Sequence, residues 1–457
     1  MSATVTRTPA ARLETPVPAP QTPGAPAAAR VPDRPERLMS LDAYRGFIML
    51  AMVSAGLNLA RVARDSFPDS DVWKFLAYHT DHVGWVGCGF WDLIQPSFMF
   101  MVGVAMPYSF ASRAAKGASR WNNALHVAFR SVLLIILGVF LSSNGARQTN
   151  YTFVNVLTQI GLGYPVVYLL LGRGRLLQLA AAAGILVGYA ALFAFYPLPP
   201  ADYDYAKVGV KPTDQAVLED PYAAHWNKNS NVAHDADKWL LNQLPRQKPF
   251  EFNDGGYQTL NFVPSIATML FGLMAGEWLR TDRSKWRKAL GLFAGGLFCL
   301  VAGLVIDHRI WPDWLADGAR QLAEALGVSG SPFVERTWTL CPIVKRIWTP
   351  SWAVFSTGWT LLMLAGFFWV IDIWGWRRWA FPLVVVGMNS IAMYCMAQLM
   401  KGWVRDTLKT HFGQDIFSGP AGSFLGTYGP IVDAAAILLI LWLVCLWMYR
   451  QKVFVRI

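Results

Sequence analysis

From Leu41 onward, long apolar runs alternate with polar connections, and this alternation leaves few folds open to the chain. The runs lie near 41–62, 91–112, 123–143, 153–171, 176–197, 259–279, 288–306, 351–371, 380–400 and 431–449. Each approaches the ~20 residues a helix needs to cross ~30 Å of hydrocarbon. Lipid offers no partner to a backbone N–H or C=O, so such runs cross it economically only as helices. The expected fold is an all-α polytopic membrane protein with about ten transmembrane helices. Only 15% of residues are charged, against roughly a quarter in soluble domains, which leaves apolar surface that lipid must cover. The 21 Trp and 15 Tyr suit the headgroup level, where amphipathic rings concentrate.

Basic residues set the expected orientation. Arg113, Lys116 and Arg120 follow the second run, and Arg173 and Arg175 the fourth. Arg280, Arg283, Lys285, Arg287 and Lys288 follow the sixth, Arg377 and Arg378 the eighth, and Arg450, Lys452 and Arg456 the last. All fall on one side, which the positive-inside rule makes cytoplasmic, together with both termini. The same clustering between apolar runs argues against nucleic acid as the partner of the +11 net charge. The other side then carries long extracytoplasmic loops at about 63–90, 198–258, 307–350 and 401–430, rich in Trp, Tyr, Asp, Asn and Gly. Loops of that length usually form a functional surface. Residues 1–36, rich in Ala, Pro and Thr, read as a disordered cytoplasmic tail, with 37–457 as the membrane domain. The tail lacks the apolar core of a signal peptide, so a bacterial cytoplasmic (inner) membrane is the expected location. Cys88, Cys299, Cys341, Cys395 and Cys445 show no metal or redox spacing, and a disulfide between Cys88 and Cys341 in the outer loops is left open.

Three stretches carry a more specific pattern. The first opens with Leu41-Asp42 and Arg45-Gly46, then runs through His82-Val83-Gly84-Trp85 to Trp91-Asp92-Leu93, Pro96 and Gly103. The second is Phe129-Arg130-Ser131 to Gly138. The third is Pro342 through Lys345-Arg346-Ile347-Trp348-Thr349-Pro350-Ser351, continued by Gly387-Met388-Asn389-Ser390 and Tyr394. Together they resemble the heparan-α-glucosaminide N-acetyltransferase family of transmembrane acyltransferases over most of residues 37 to 400, including the histidine-to-aspartate spacing. The chain departs from the family at Asn58, where the asparagine is expected near Gly56, and at Thr158-Gln159, which replaces a Gln-Arg pair.

The resemblance implies site roles. In the family a histidine on the luminal or periplasmic side handles an acetyl group delivered from cytosolic acetyl-CoA, and the motif places that role on His82. An imidazole titrating near pH ~6.5 can take a proton from an attacking amine or hydroxyl, or carry the acetyl group as an acyl-imidazole. Asp92 either caps the second span or orients His82, and the two readings are compatible. Trp85 can stack on a sugar ring or anchor at the interface. Lys345, Trp348 and Asn389 are the further substrate-binding candidates. Lys345 and Arg346 alternatively remain surface charges, and Asn389 alternatively bonds a neighbouring helix. Arg130 and Arg45 are the candidates for binding the donor. Arg130 can meet CoA phosphates or snorkel to inner headgroups, and Arg45 pairs most simply with Asp42 one turn away. No Gly-rich phosphate loop is present, so the donor is expected in a bundle cavity. His79 and His82 lie three apart with no third ligand nearby, so no metal is expected.

The implied function is acetyl transfer from cytosolic acetyl-CoA to an amine or hydroxyl of an extracytoplasmic sugar or glycan. A transporter or glycan-lipid flippase using the same bundle without acyl chemistry is the alternative, and a structural partner in an envelope-polysaccharide complex a third. Membrane lipid is an expected partner, and a homo-oligomer is compatible with the sequence.

Overall fold

The computed structural model describes residues 38–220, 222–307, 313–325, 339–420 and 422–455. The tail expected at 1–36 lies outside the described residues, as does part of the loop at 307–350. The described chain forms α1 (Met39–Ser54), α2 (Leu59–Ser66), α3 (Asp71–Thr80), α4 (Ile94–Ala114), α5 (Arg120–Ser142), α6 (Val156–Leu169), α7 (Arg175–Ala194) and α8 (Val232–Leu241). It continues with α9 (Phe262–Leu279), α10 (Lys285–Ile306), α11 (Asp313–Ala325), α12 (Pro350–Phe368), α13 (Phe381–Gly387), α14 (Ser390–Phe412) and α15 (Phe424–Arg450).

All ten apolar runs are helical, but not all as simple spans. Among the described residues eight helical stretches are long and apolar enough to cross a membrane, which makes this a polytopic membrane protein. The ninth run is broken into α13 and α14, bent by 68° at Met388-Asn389, where Asn389 leaves the helical conformation at φ −125° and ψ 34°. The fourth run shortens to the 14 residues of α6, roughly 21 Å at 1.5 Å per residue, below the full hydrocarbon thickness. The caps explain several boundaries. Side chains of Ser119, Asn155, Ser284, Thr349 and Ser423 each accept a backbone N–H from the first turn of α5, α6, α10, α12 and α15, supplying partners that lipid cannot.

Burial sorts the spans into inner and outer ones. α4 and α9 are the most enclosed, whereas α5, α7, α10 and α15 keep most of their surface outside. On α5 the exposed Leu125, Phe129, Val132, Ile136 and Phe140 recur every three or four residues, a stripe suited to lipid. α4 and α9 form the most extensive helix pair because glycines let the backbones meet. A side chain on Gly272 or Gly276 would run into the backbone of Phe100 or Val104, and one on Gly103 into that of Met269, the close approach small residues permit between spans.

The bundle has two distinct ends. At the basic end, Arg113 holds Asn123, Gly172 meets Glu277, and Lys285 reaches the carbonyl of Asp372. At the opposite, loop end, segments around 84–86, 189–233 and 341–347 enclose a second apolar core around Trp85, Phe193, Trp226 and Ile347. Its polar residues are built in: Lys228 pairs with Asp214 at 2.6 Å, and the Asn229 amide donates to the carbonyls of Val208 and Asn253 at 2.9 Å each.

Candidate functional site at the loop end

His82 follows α3 on a short loop, and Asp92 sits in the single 3₁₀ turn Phe90–Leu93 that opens α4. That turn fixes the carboxylate, because Asp92 Oδ2 accepts the backbone N–H of Gly89 at 3.1 Å and of Val83 at 3.4 Å. Oδ1 is left to face His82 Nδ1 at 2.8 Å. With the ring proton assigned to Nδ1 so that it donates to this carboxylate, Nε2 carries the lone pair, and the nearby Lys345 ammonium bonds Asp92 rather than the ring. The Asp92 side chain is 2% exposed and the His82 side chain 37%, so the acid is shielded while the imidazole is reached from outside. Asp92 does not cap α4 itself, whose N-cap is Leu93 with no side-chain bond; from the third position of the 3₁₀ turn it reaches back to Gly89 N–H while its other oxygen faces His82.

Lys345 completes the cluster from 263 residues away. Its Nζ lies 3.1 Å from His82 Nδ1 and 3.3 Å from Asp92 Oδ1, with the side chain 6% exposed. A buried ammonium needs a counter-charge, and Asp92 provides it. The neighbouring Arg346 donates to the carbonyls of Val83 at 3.1 Å and Gly255 at 2.8 Å, so it ties the His82 loop to the cap. Tyr257 stands under both cations, its ring centroid 6.0 Å from Lys345 Nζ and 5.7 Å from the Arg346 guanidinium. Nothing in the sequence marked Tyr257, since its position depends on how residues 198–258 fold over the bundle.

Other expected residues lie elsewhere. Trp85 is buried, donates to the Trp226 carbonyl at 3.0 Å and packs under Gly256, so it supports the cap and presents no face for stacking. Trp348 is buried too, adopts a φ of 49°, and donates to the Thr268 hydroxyl at 3.3 Å; it positions the 342–351 stretch from within the core. Asn389 stands at the basic end, where its amide donates to the Val453 carbonyl and accepts from Val455 N–H. The substrate-binding role considered for it is corrected: both halves of the amide are bonded within the protein, at the end of the bundle away from His82. His79 Nδ1 accepts the Phe90 N–H at 3.2 Å. No disulfide joins Cys88 to Cys341.

Arg45 and Arg130 come together at the basic end. Both line a cavity of about 550 Å³ with Asp42, Arg113, His126 and Tyr164, within the ~300–1,000 Å³ of small-molecule sites. Arg130 donates to the Tyr164 hydroxyl at 3.3 Å and lies 4.6 Å over its ring, while its buried Nε has no partner. Arg45 lies 3.9 Å from Asp42. Three guanidinium groups and an orphan donor fit an anionic, phosphate-bearing ligand. Along α4 the cavity lining reaches Phe98. Between Phe98 and Asp92 lie Gln95, bonded to Gln159 at 3.0 Å, and Ser97, bonded by Tyr44 at 3.0 Å.

No known family model matches the chain. Among curated proteins it is similar to human heparan-alpha-glucosaminide N-acetyltransferase, 22% identical over 408 residues, which cover 81% of this chain and 54% of the human protein. The chain thus spans about half the length of the curated relative it matches. The likeness is distant, and supports an acetyltransferase-like membrane protein at the coarse level.

Proposed function

We propose that this protein is an integral membrane acetyltransferase that moves acetyl from acetyl-CoA on its cytoplasmic side to an amine or hydroxyl of an extracytoplasmic sugar. The observation that carries this reading is the buried Asp92 carboxylate holding His82 Nδ1 at 2.8 Å, which leaves Nε2 free at the loop end. The likeness to a named N-acetyltransferase supports the reaction class. The cluster of basic residues opposite His82 supports an orientation with the basic end inside.

In this reading the cavity with Arg45, Arg113 and Arg130 holds the phosphates of the donor, and its thioester extends along α4 past Gln95 and Ser97. His82 Nε2 accepts the proton of the acceptor as its nitrogen or oxygen bonds to the thioester carbonyl carbon. The carbon–sulfur bond then breaks, and the proton passes to the departing thiolate. An acyl-imidazole at Nε2 achieves the same net transfer in two steps, and both routes need the orientation that Asp92 imposes. Lys345 balances the buried carboxylate and keeps the pair in place.

Purified protein in nanodiscs, given labelled acetyl-CoA, should label a glucosamine-type acceptor, and His82→Ala should reduce this to background. Undiminished transfer by a folded His82→Ala variant would refute the proposal. Sugar flux across vesicles without acetyl transfer would favour a transporter.

A further inference from the structure

The cap at the loop end contains two adjoining hollows that the mechanism above leaves unused. The first, of about 240 Å³, is walled by Asp237, Arg246, Phe250 and Tyr257 among others. The second, of about 700 Å³, shares Phe250 and Phe252 with it and adds Tyr203, Ser230 and His234. Buried polar side chains in folded proteins nearly always have partners. Asp237 is 1% exposed and its Oδ2 accepts the Thr259 N–H at 2.9 Å, yet Oδ1 has no partner. The Thr259 hydroxyl stands beside the carboxylate but outside hydrogen-bond geometry. In the second hollow His234, 4% exposed, leaves Nδ1 unpartnered, and so does the hydroxyl of Ser230. Unsatisfied polar edges between aromatic walls suit a ring that carries hydroxyls on its rim and C–H groups on its faces. Tyr257 links the hollows to the chemistry, since its ring lines the first and lies 6.0 Å from Lys345 Nζ, which is 3.1 Å from His82 Nδ1.

We propose that the two hollows are consecutive glycan subsites. The smaller seats the sugar ring that receives acetyl, its hydroxyls on Asp237 and Arg246 and its reacting group directed past Tyr257 toward His82. The larger seats the adjoining ring against Phe250, Phe252, Ser230 and His234. The first hollow falls below the ~300 Å³ at which drug-sized sites begin, a size suited to a single ring. This inference rests on the acetyltransferase reading, so its test separates the two.

The full chain in nanodiscs is given glucosamine or a glucosamine disaccharide. Sugar binding is read by saturation-transfer NMR without donor, and acetyl transfer is read kinetically with acetyl-CoA. Asp237→Asn should raise the acceptor KM at least tenfold and abolish the sugar NMR signal, while the acetyl-CoA KM stays unchanged. Arg246→Gln should behave alike, and covers the case in which the buried substitution fails to fold. The disaccharide should bind at least fivefold tighter than glucosamine, a gain that His234→Ala erases without altering the monosaccharide. Continued transfer with an unchanged acceptor KM in folded variants overturns the subsites and leaves the acetyltransferase reading intact. Sugar binding that is lost with Asp237→Asn, in a wild-type protein that transfers no acetyl, upholds the subsites and overturns that reading.

Discussion

Replacing Asp92 with asparagine strips the charge from an oxygen that has His82 Nδ1 at 2.8 Å and Lys345 Nζ at 3.3 Å. Two costs follow. Lys345, with its side chain 6% exposed, keeps its ammonium in a buried site with no counter-charge, and breaking a buried pair in this way costs about 3–5 kcal/mol. The amide can also turn its NH₂ toward His82, which removes the acceptor that holds the proton on Nδ1. In catalytic triads the equivalent carboxylate-to-amide change lowers kcat about 10⁴-fold through the wrong tautomer, so a loss of at least ~10²-fold is expected here. The two costs separate in a double-mutant cycle. Asp92→Asn alone should be both unstable and inactive. Asp92→Asn with Lys345→Met should recover most of the stability in thermal unfolding in detergent, yet remain inactive in labelled-acetyl transfer. Full activity in the single variant would refute the orienting role. A double variant no more stable than the single one would refute the claim that Asp92 and Lys345 balance each other.

Arg130→Gln should raise the acetyl-CoA KM about 10- to 100-fold, as expected when a charged hydrogen bond worth ~1.5–3 kcal/mol is lost, and leave the acceptor KM unchanged; equal shifts in both would place Arg130 outside the donor site. The cap should carry a pH signature of its own. Burial pushes the Asp237 carboxyl up to about 6 from 3.8, partly offset by Thr259 and Arg246. A folded-state value above the unfolded one stabilises most below pH ~4, and the benefit is lost as pH rises through ~6. Asp237→Asn should therefore gain on the wild type by on the order of 2–3 kcal/mol between pH 4 and 7, seen in unfolding midpoints; parallel pH profiles would refute a buried, proton-binding Asp237.

Hydropathy alone carried the architecture, since lipid forces backbone hydrogen bonds inside each segment and apolar length then marks a helix. It did not show that the run at 380–400 is broken, because Asn389 at the 68° bend has its partners at residues 453 and 455, far along the chain. His82, Asp92 and Lys345 were recoverable as residues of one pattern, and Arg45 and Arg130 as intramembrane charges. Their contacts were not, as Lys345 reaches His82 across 263 positions. Trp85 and Trp348 misled because an indole serves a binding face and a core equally well, and only packing decides between them. Asp237 and Tyr257 were invisible because no local periodicity governs the 198–258 loop.

The fastening of Asn389 also has a temporal side. Asn389 donates to the Val453 carbonyl and accepts the Val455 N–H, and Val455 itself walls the arginine-lined cavity. During synthesis these residues emerge only after α15, later than the other spans among the described residues. The cavity at the basic end therefore remains unfinished until translation has passed α15, and a nascent chain halted before that point lacks this wall of it. Completion of that cavity is in this way set by a few residues that follow α15.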